Sequence, residues 1–154
     1  ERLAALRSLL ILDTPPEARF DRITRFAARE FDVPTVLISL VDENRQWFKS
    51  RFGLEACETP RDISFCGHAI LQDDTLVIHN AIEDARFADN PLVTDAPFIR
   101  FYAGAPLVLP SGQTMGTLCL ISPQPRKYDA LDRAIHHALR DLVVEELVRQ
   151  GVPT

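Results

Sequence analysis

Cys66 and His68 stand two residues apart in Ser64-Phe65-Cys66-Gly67-His68, and few other residues of the chain are as well equipped for chemistry. With Ser64 or Asp62 as a cap, the segment predicts a short helix over 65–71. A thiol at a helix N-terminus has a lowered pKa and gains thiolate character, which would suit it to redox switching. The same pair offers two ligands to a metal, with His79 or Cys119 as distant completions. A packed cysteine beside a backbone-bonded histidine accounts for the same residues. The spacing decides none of these, and it calls for neither a metal nor a cofactor.

Arg61, Arg86 and Arg100 are the only Lys or Arg residues between positions 52 and 104, against nine acidic ones, so this middle stretch, at −6, accounts for the whole net charge of −5. An arginine in apolar surroundings needs a carboxylate or an anionic ligand held bidentately. Asp62, Asp84 and Asp89 are the nearby internal partners. Arg100 directly precedes Ala103-Gly104-Ala105, small residues that leave room above a strand for a ligand or for a bulky neighbour. Trp47, Phe65, Phe101 and Tyr102 supply aromatic surface beside the same site. Phe101 and Tyr102 must point to opposite faces of a strand, so only one of them lines it. The expected ligand-binding set is therefore Trp47, Arg61, Phe65, Cys66, His68, Arg100, Phe101, Tyr102 and Gly104. His136-His137 reads as a solvated pair on a helix, because Ala138 follows where a phospho-accepting histidine has an acidic residue. There is no Gly-rich phosphate loop, no Ser-His-Asp order and no His-Glu-x-x-His, so the expectation is a domain without its own catalytic set.

The elements that must position these residues follow from periodicity. Leu3, Leu6, Leu9 and Leu10 predict a helix over about 1–12, stopped by Pro15-Pro16. Phe20, Ile23, Ala27 and Phe31 predict a second over 17–31, with Thr14 as N-cap and Pro34 beyond its end. Thr35 to Val41 reads as a central strand buried on both faces, and Arg45 to Arg51 as a more polar partner nearer an edge. Phe52 to Arg61 reads as loop, Leu76 to Ile78 as a short strand, and Asn80 to Arg100 as loop with one helical turn. Strands Phe101–Leu109 and Gln113–Ile121 form a hairpin about Pro110-Ser111-Gly112. Leu131, Ile135, Ala138, Leu142 and Leu147 predict a terminal helix over 128–150. Strands enclosed by helices at both ends give an α+β class with a central antiparallel sheet of five or six strands.

At 154 residues the chain fits one domain, and its 46% hydrophobic content excludes disorder. The mildly acidic balance argues against a nucleic-acid groove. No apolar run reaches a membrane span, and three cysteines fit a reducing compartment, so the expected location is cytoplasmic. Glu1 falls inside a helical pattern, which suggests an excised domain.

The motifs ILDTPPE (11–17), SLVDENRQWFKSRFGL (39–54), ETPRDISFCGHAI (58–70), DARFADNPLV (84–93), IRFYAGAPL (99–107) and GTLCLIS (116–122) together resemble the GAF domain. The resemblance is to the bacterial sensory subfamily found with histidine kinase and diguanylate cyclase modules. Ser122 stands where that subfamily usually has Asp, and Gly67 where Ala is common. The resemblance implies one domain over 1–154, with a core over about 15–125, terminal helices on one sheet face, and a small-molecule pocket under loops on the other. It also implies that pocket occupancy is passed through the terminal helices to an effector in cis or to a partner kinase. A homodimer is expected through helix 1–12 and Leu142, Val143, Leu147 and Val148, whose apolar residues exceed what one face needs. The spacing of Cys57 and Cys66 is similar to that of another GAF branch, the free methionine sulfoxide reductases. Those also need a third cysteine in the loop after the next strand, and residues 79–95 hold none. Two alternatives stay open: a reductase-like enzyme using Cys66, and a ligand-free dimerisation module.

Overall fold

A computed structural model of the chain describes residues 2–9, 11–54, 56, 58–60, 65, 69–71, 74–95 and 98–151. In chain order its elements are α1 (Arg2–Ser8), α2 (Ala18–Phe31), β1 (Thr35–Val41), β2 (Arg45–Phe52), β3 (Glu58–Pro60) and β4 (Leu76–Ile78). A 3₁₀ turn (Ala81–Glu83), α3 (Pro91–Thr94), β5 (Phe101–Val108), β6 (Thr114–Ser122) and α4 (Ala130–Gly151) follow. The strands form one six-stranded sheet in the order β3-β2-β1-β6-β5-β4, and every neighbouring pair is antiparallel.

Alternation along the strands splits the interior into two clusters. Val36, Ile38 and Leu40 of β1, with Leu118 and Leu120 of β6, face α1, α2 and α4. Leu37 and Val41, with Cys119 and Ile121, face the loops between β3 and β5. α2 buries Phe20, Ile23, Ala27 and Phe31 at the predicted spacing. It ends at Asp32, whose left-handed backbone (φ 52°, ψ 50°) returns its N–H to the Ala28 carbonyl. α4 buries Leu139, Val143 and Leu147 against the same face. Among the described residues no helix is long and apolar enough to cross a membrane.

Several expectations are corrected. α1 is shorter than the predicted 1–12. Thr14 does not cap α2: Glu17 holds the N-cap position, while the Thr14 hydroxyl donates to the Ile11 carbonyl at 2.5 Å. Glu58–Pro60 is an edge strand rather than loop, a place that tolerates proline because its outer side needs no donor. The 80–100 stretch holds two helical turns rather than one, each started by an asparagine: Asn80 accepts from the Ile82 N–H and Asn90 from the Leu92 N–H. The predicted 65–71 helix falls mostly on residues outside those described. Ser122, the departure from the subfamily pattern, is buried and accepts from the Gln124 N–H at 3.1 Å, which turns the chain out of β6.

β2 is polar in sequence yet buried, and each polar side chain on its helix side has partners. Pairing with β1 skips Lys49, a bulge that leaves it with the helices. Its ammonium, with no exposed side-chain surface, donates to Thr14 Oγ1 (2.7 Å) and the Pro15 carbonyl (2.6 Å), and pairs with Glu17 (2.6 Å). Glu17 also pairs with Arg19, and Arg19 with Glu146 of α4 at 2.8 Å. Ser50 donates to Asp21 at 2.6 Å and shares a hydrogen bond with Thr24. Arg45 joins Asp13, Asp42 and Glu58, so the linker between α1 and α2 is tied to both β2 and β3.

Candidate functional site

The sheet face away from the helices carries the candidate site. Its floor is Leu37, Ser39 and Val41 of β1, Phe48 of β2, Tyr102 and Gly104 of β5, and Thr117, Cys119 and Ile121 of β6. Above it lie Phe65 and Phe87, whose rings stack at 4.4 Å with planes 18° apart. Phe65 also leans on Tyr102 at 5.0 Å. Ala81, Val93 and Ile99 close one side, held by the Ala81 N–H on the Arg100 carbonyl (2.6 Å) and the Ile99 N–H on the Leu92 carbonyl (2.8 Å).

The room above Gly104 is filled from within. The Tyr102 phenol lies over it, and a Cβ at Gly104 would fall 2.8 Å from ring carbons of Tyr102. Between ligand and bulky neighbour, the small residues here accommodate the neighbour. The Tyr102 hydroxyl reaches Cys119 Sγ at 3.4 Å, and Thr117 Oγ1 reaches the same sulfur at 2.6 Å. Cys119 is fully buried, in line with its place in an alternating strand.

The expected arginine roles divide. Arg86 forms a bidentate pair with Asp84 at 3.1 and 2.9 Å, which holds the Asp84 carboxyl below its ordinary pKa. Arg100 donates from one guanidinium nitrogen to the Val93 (2.9 Å) and Ile99 (3.1 Å) carbonyls, which fastens α3 to the start of β5. Arg61, Cys66 and His68, and also Cys57, lie outside the described residues.

Trp47 and Phe101 are corrected as site residues. Both belong to the helix-side cluster, Trp47 because it pairs with Leu40, a helix-side residue of β1, and Phe101 because it alternates with Tyr102. The structure thus brings together Phe65, Tyr102 and Gly104 from the expected set and seats Arg100 at the rim. Sequence reasoning missed Ser39, Phe48, Phe87 and Thr117. Ser39 shares its parity with Leu37 and Val41, which was the available signal.

The solvated histidine pair is also corrected. His136 is fully buried. Its Nε2 donates to the Leu118 carbonyl at 2.8 Å, and its Nδ1 lies 2.8 Å from the Tyr128 hydroxyl. A carbonyl can only accept, so the ring carries its proton on Nε2 and takes the phenol proton at Nδ1, a neutral tautomer. Burial, with Arg133, Arg140 and His137 close by, pushes its pKa down to about 4. His137 shares a hydrogen bond with Thr75, just before β4, at 2.6 Å, and burial lowers its pKa too. α4 is therefore fastened to β6 and to the approach of β4. Among the described residues no cluster of three or more His, Cys, Asp or Glu is placed to hold a metal.

Comparison with known proteins agrees with this geometry. Residues 15–147 match the model of the GAF domain family. A cyclic di-GMP phosphodiesterase of Pseudomonas aeruginosa is 42% identical over 125 residues, covering 81% of this chain but only 21% of the relative. The crystal structure of the GAF domain from an Acinetobacter phosphoenolpyruvate-protein phosphotransferase superposes with a TM-score of 0.68 at 17% identity, covering 96% of this chain and 93% of that one. A type II free methionine-R-sulfoxide reductase from Thermoplasma acidophilum superposes with a TM-score of 0.69 at 12% identity, covering 97% and 96%. The expectation that the domain itself, lacking a catalytic set, is not an enzyme is corrected here: the sequence relative is an enzyme by name, and so is this structural neighbour.

Proposed function

Because this chain belongs to the GAF domain family, we propose that it is the sensory segment of a bacterial cytoplasmic signalling enzyme that turns over cyclic di-GMP. A small molecule held on the Tyr102 face is read by α4 and passed to the effector. The observation that carries this reading is the two-sided use of β6. Cys119 touches Tyr102 on one face, and the preceding carbonyl, Leu118, holds His136 of α4 on the other. A ligand that prefers one arrangement of Phe65 and Phe87 over another biases the position of that carbonyl and so of the helix. The 42% identity to a phosphodiesterase supports the choice of effector.

The test has two stages. Native mass spectrometry of the natural protein carrying this chain should reveal a co-purified small molecule. Its removal should then change both hydrogen exchange in α4 and the rate of cyclic di-GMP hydrolysis. A bound molecule whose removal alters neither would overturn the reading.

We further propose a homodimer, through a surface that keeps Leu142 of the expected set and adds Phe26 of α2. Val143 and Leu147 are consumed by the core, whereas Phe26 and Leu142 are about half exposed. They line a groove of about 400 Å³ between α2 and α4. Exposed Arg22 and Arg25 on α2 face out on one side, and Asp141 and Glu145 on α4 on the other, which suits a two-fold arrangement with charges crossed. Light scattering should give twice the chain mass, and Phe26→Glu should return it to the monomer value.

A further inference from the structure

The stretch 80–99 has two sides, and only the inner one belongs to the candidate site. Ala81 and Ile99 are buried in the cluster on the site face, while Ile82 and Phe98, one residue from each, are about half exposed. The Ala81 N–H on the Arg100 carbonyl ties the two ends of the stretch together, so both apolar side chains lie on the outer surface of one small unit. Phe98 is also held in the left-handed region (φ 58°), by its own N–H on the Asp95 carbonyl and by the Ile99 N–H on the Leu92 carbonyl, both at 2.8 Å. A bulky side chain is unfavourable in that region, which glycine and asparagine enter readily. A phenyl ring is thus kept in water on a strained backbone, and core packing does not account for it.

The same outer surface is acidic. Residues 80–99 hold four carboxylates and one arginine, and that arginine, Arg86, is already engaged by both oxygens of Asp84. The other three carboxylates are exposed: Glu83 next to Ile82, Asp89 just before α3, and Asp95 three residues before Phe98. We propose that this surface docks a basic amphipathic segment of a partner protein, whose apolar residues cover Ile82 and Phe98 and whose lysines or arginines meet the three carboxylates. An apolar centre with a charged rim is how protein contacts are generally built, and an aromatic anchor carries much of their energy. The charge selects the class of partner, because an anionic lipid surface or a nucleic acid would be repelled. The surface is separate from the ligand site yet joined to it, since Phe87, Val93 and Ile99 of the same stretch cover the site from within.

The probes are a synthetic amphipathic helix of leucine and lysine and its counterpart with glutamate in place of lysine, each labelled for fluorescence anisotropy. The lysine helix should bind saturably and the glutamate helix should not. Asp89→Asn with Asp95→Asn should weaken binding about fivefold, whereas Glu30→Gln with Glu43→Gln, an equal change of charge at exposed sites elsewhere, should alter it less than about twofold. Phe98→Asn should weaken it about tenfold without lowering Tm, because asparagine accepts the left-handed backbone. Equal losses from the two carboxylate pairs would mean general charge attraction and overturn the proposal, as would a lysine helix that does not bind. A Tm lowered by more than about 4 °C in Phe98→Asn would show that the ring belongs to the fold, and would overturn it too.

Discussion

The two faces of one sheet treat buried polarity in opposite ways. On the helix side, Lys49 has three partners, Ser50 has two, and both ring nitrogens of His136 are engaged. On the site side Thr117, Cys119 and Tyr102 are joined to one another, and the buried Ser39 hydroxyl beside them has no partner. The strands are the same and the burial is the same, so the difference lies in what each face is for. A saturated face is a joint, with every polar group fixing the place of one element against another. A face left unsaturated stays open to an outside partner.

The sharpest break of this comparison should come from Glu17→Ala. It removes the anion from a Lys49 with no exposed surface and releases Arg19, and urea unfolding should show a loss of about 3 kcal/mol. An effect below about 1 kcal/mol would mean that Thr14 and Pro15 alone satisfy the lysine and that the joint reading is overstated.

Acid should act next, through the histidines. The folded pKa of His136 lies near 4 and its unfolded value near 6.5. The unfolded chain thus binds a proton that the folded one refuses as pH falls, so stability is full above pH 6.5 and declines below it. Between pH 6.5 and 5, before most carboxylates titrate, the loss should be about 2 kcal/mol. Urea unfolding at stepped pH checks the slope. His136→Gln, which keeps an amide donor toward Leu118, should flatten it.

Two smaller effects should have opposite sign. Ser50→Ala should destabilise by about 1–2 kcal/mol, since it takes a hydrogen bond from the Asp21 carboxylate and leaves Thr24 only its bond to the Asp21 carbonyl. Ser39→Ala should stabilise by about 1 kcal/mol, by removing an unpaired hydroxyl. Equal signs in thermal unfolding of the two variants would erase the contrast between the faces.

Much of the helix side was legible in the sequence, because helices repeat. Phe20, Ile23, Ala27 and Phe31 announce α2, and the fold class follows from the order of elements. His136 was legible in principle: it precedes Leu139 by three residues, and Leu139, Val143 and Leu147 follow at fours, so it shares their face. Ser50 was not, because its place on the helix side depends on a bulge, and nothing local marks where β2 slips against β1. β3 was hidden by its length of three residues and its proline. The site side is built from short turns whose places are set by single asparagines and by pairings distant in sequence. Its small-residue patch was visible, but not that Tyr102 would fill it.

Trp47 is the only tryptophan of the chain, and it is buried in the helix-side cluster beside Leu40. Its emission is therefore an optical gauge of the joint rather than of the site. A small molecule placed against Tyr102 lies across the sheet from the indole. Any change in tryptophan emission on adding one reports a disturbance that has already crossed to the helices, whereas tyrosine signals without a tryptophan change would mark occupancy that stops at the floor.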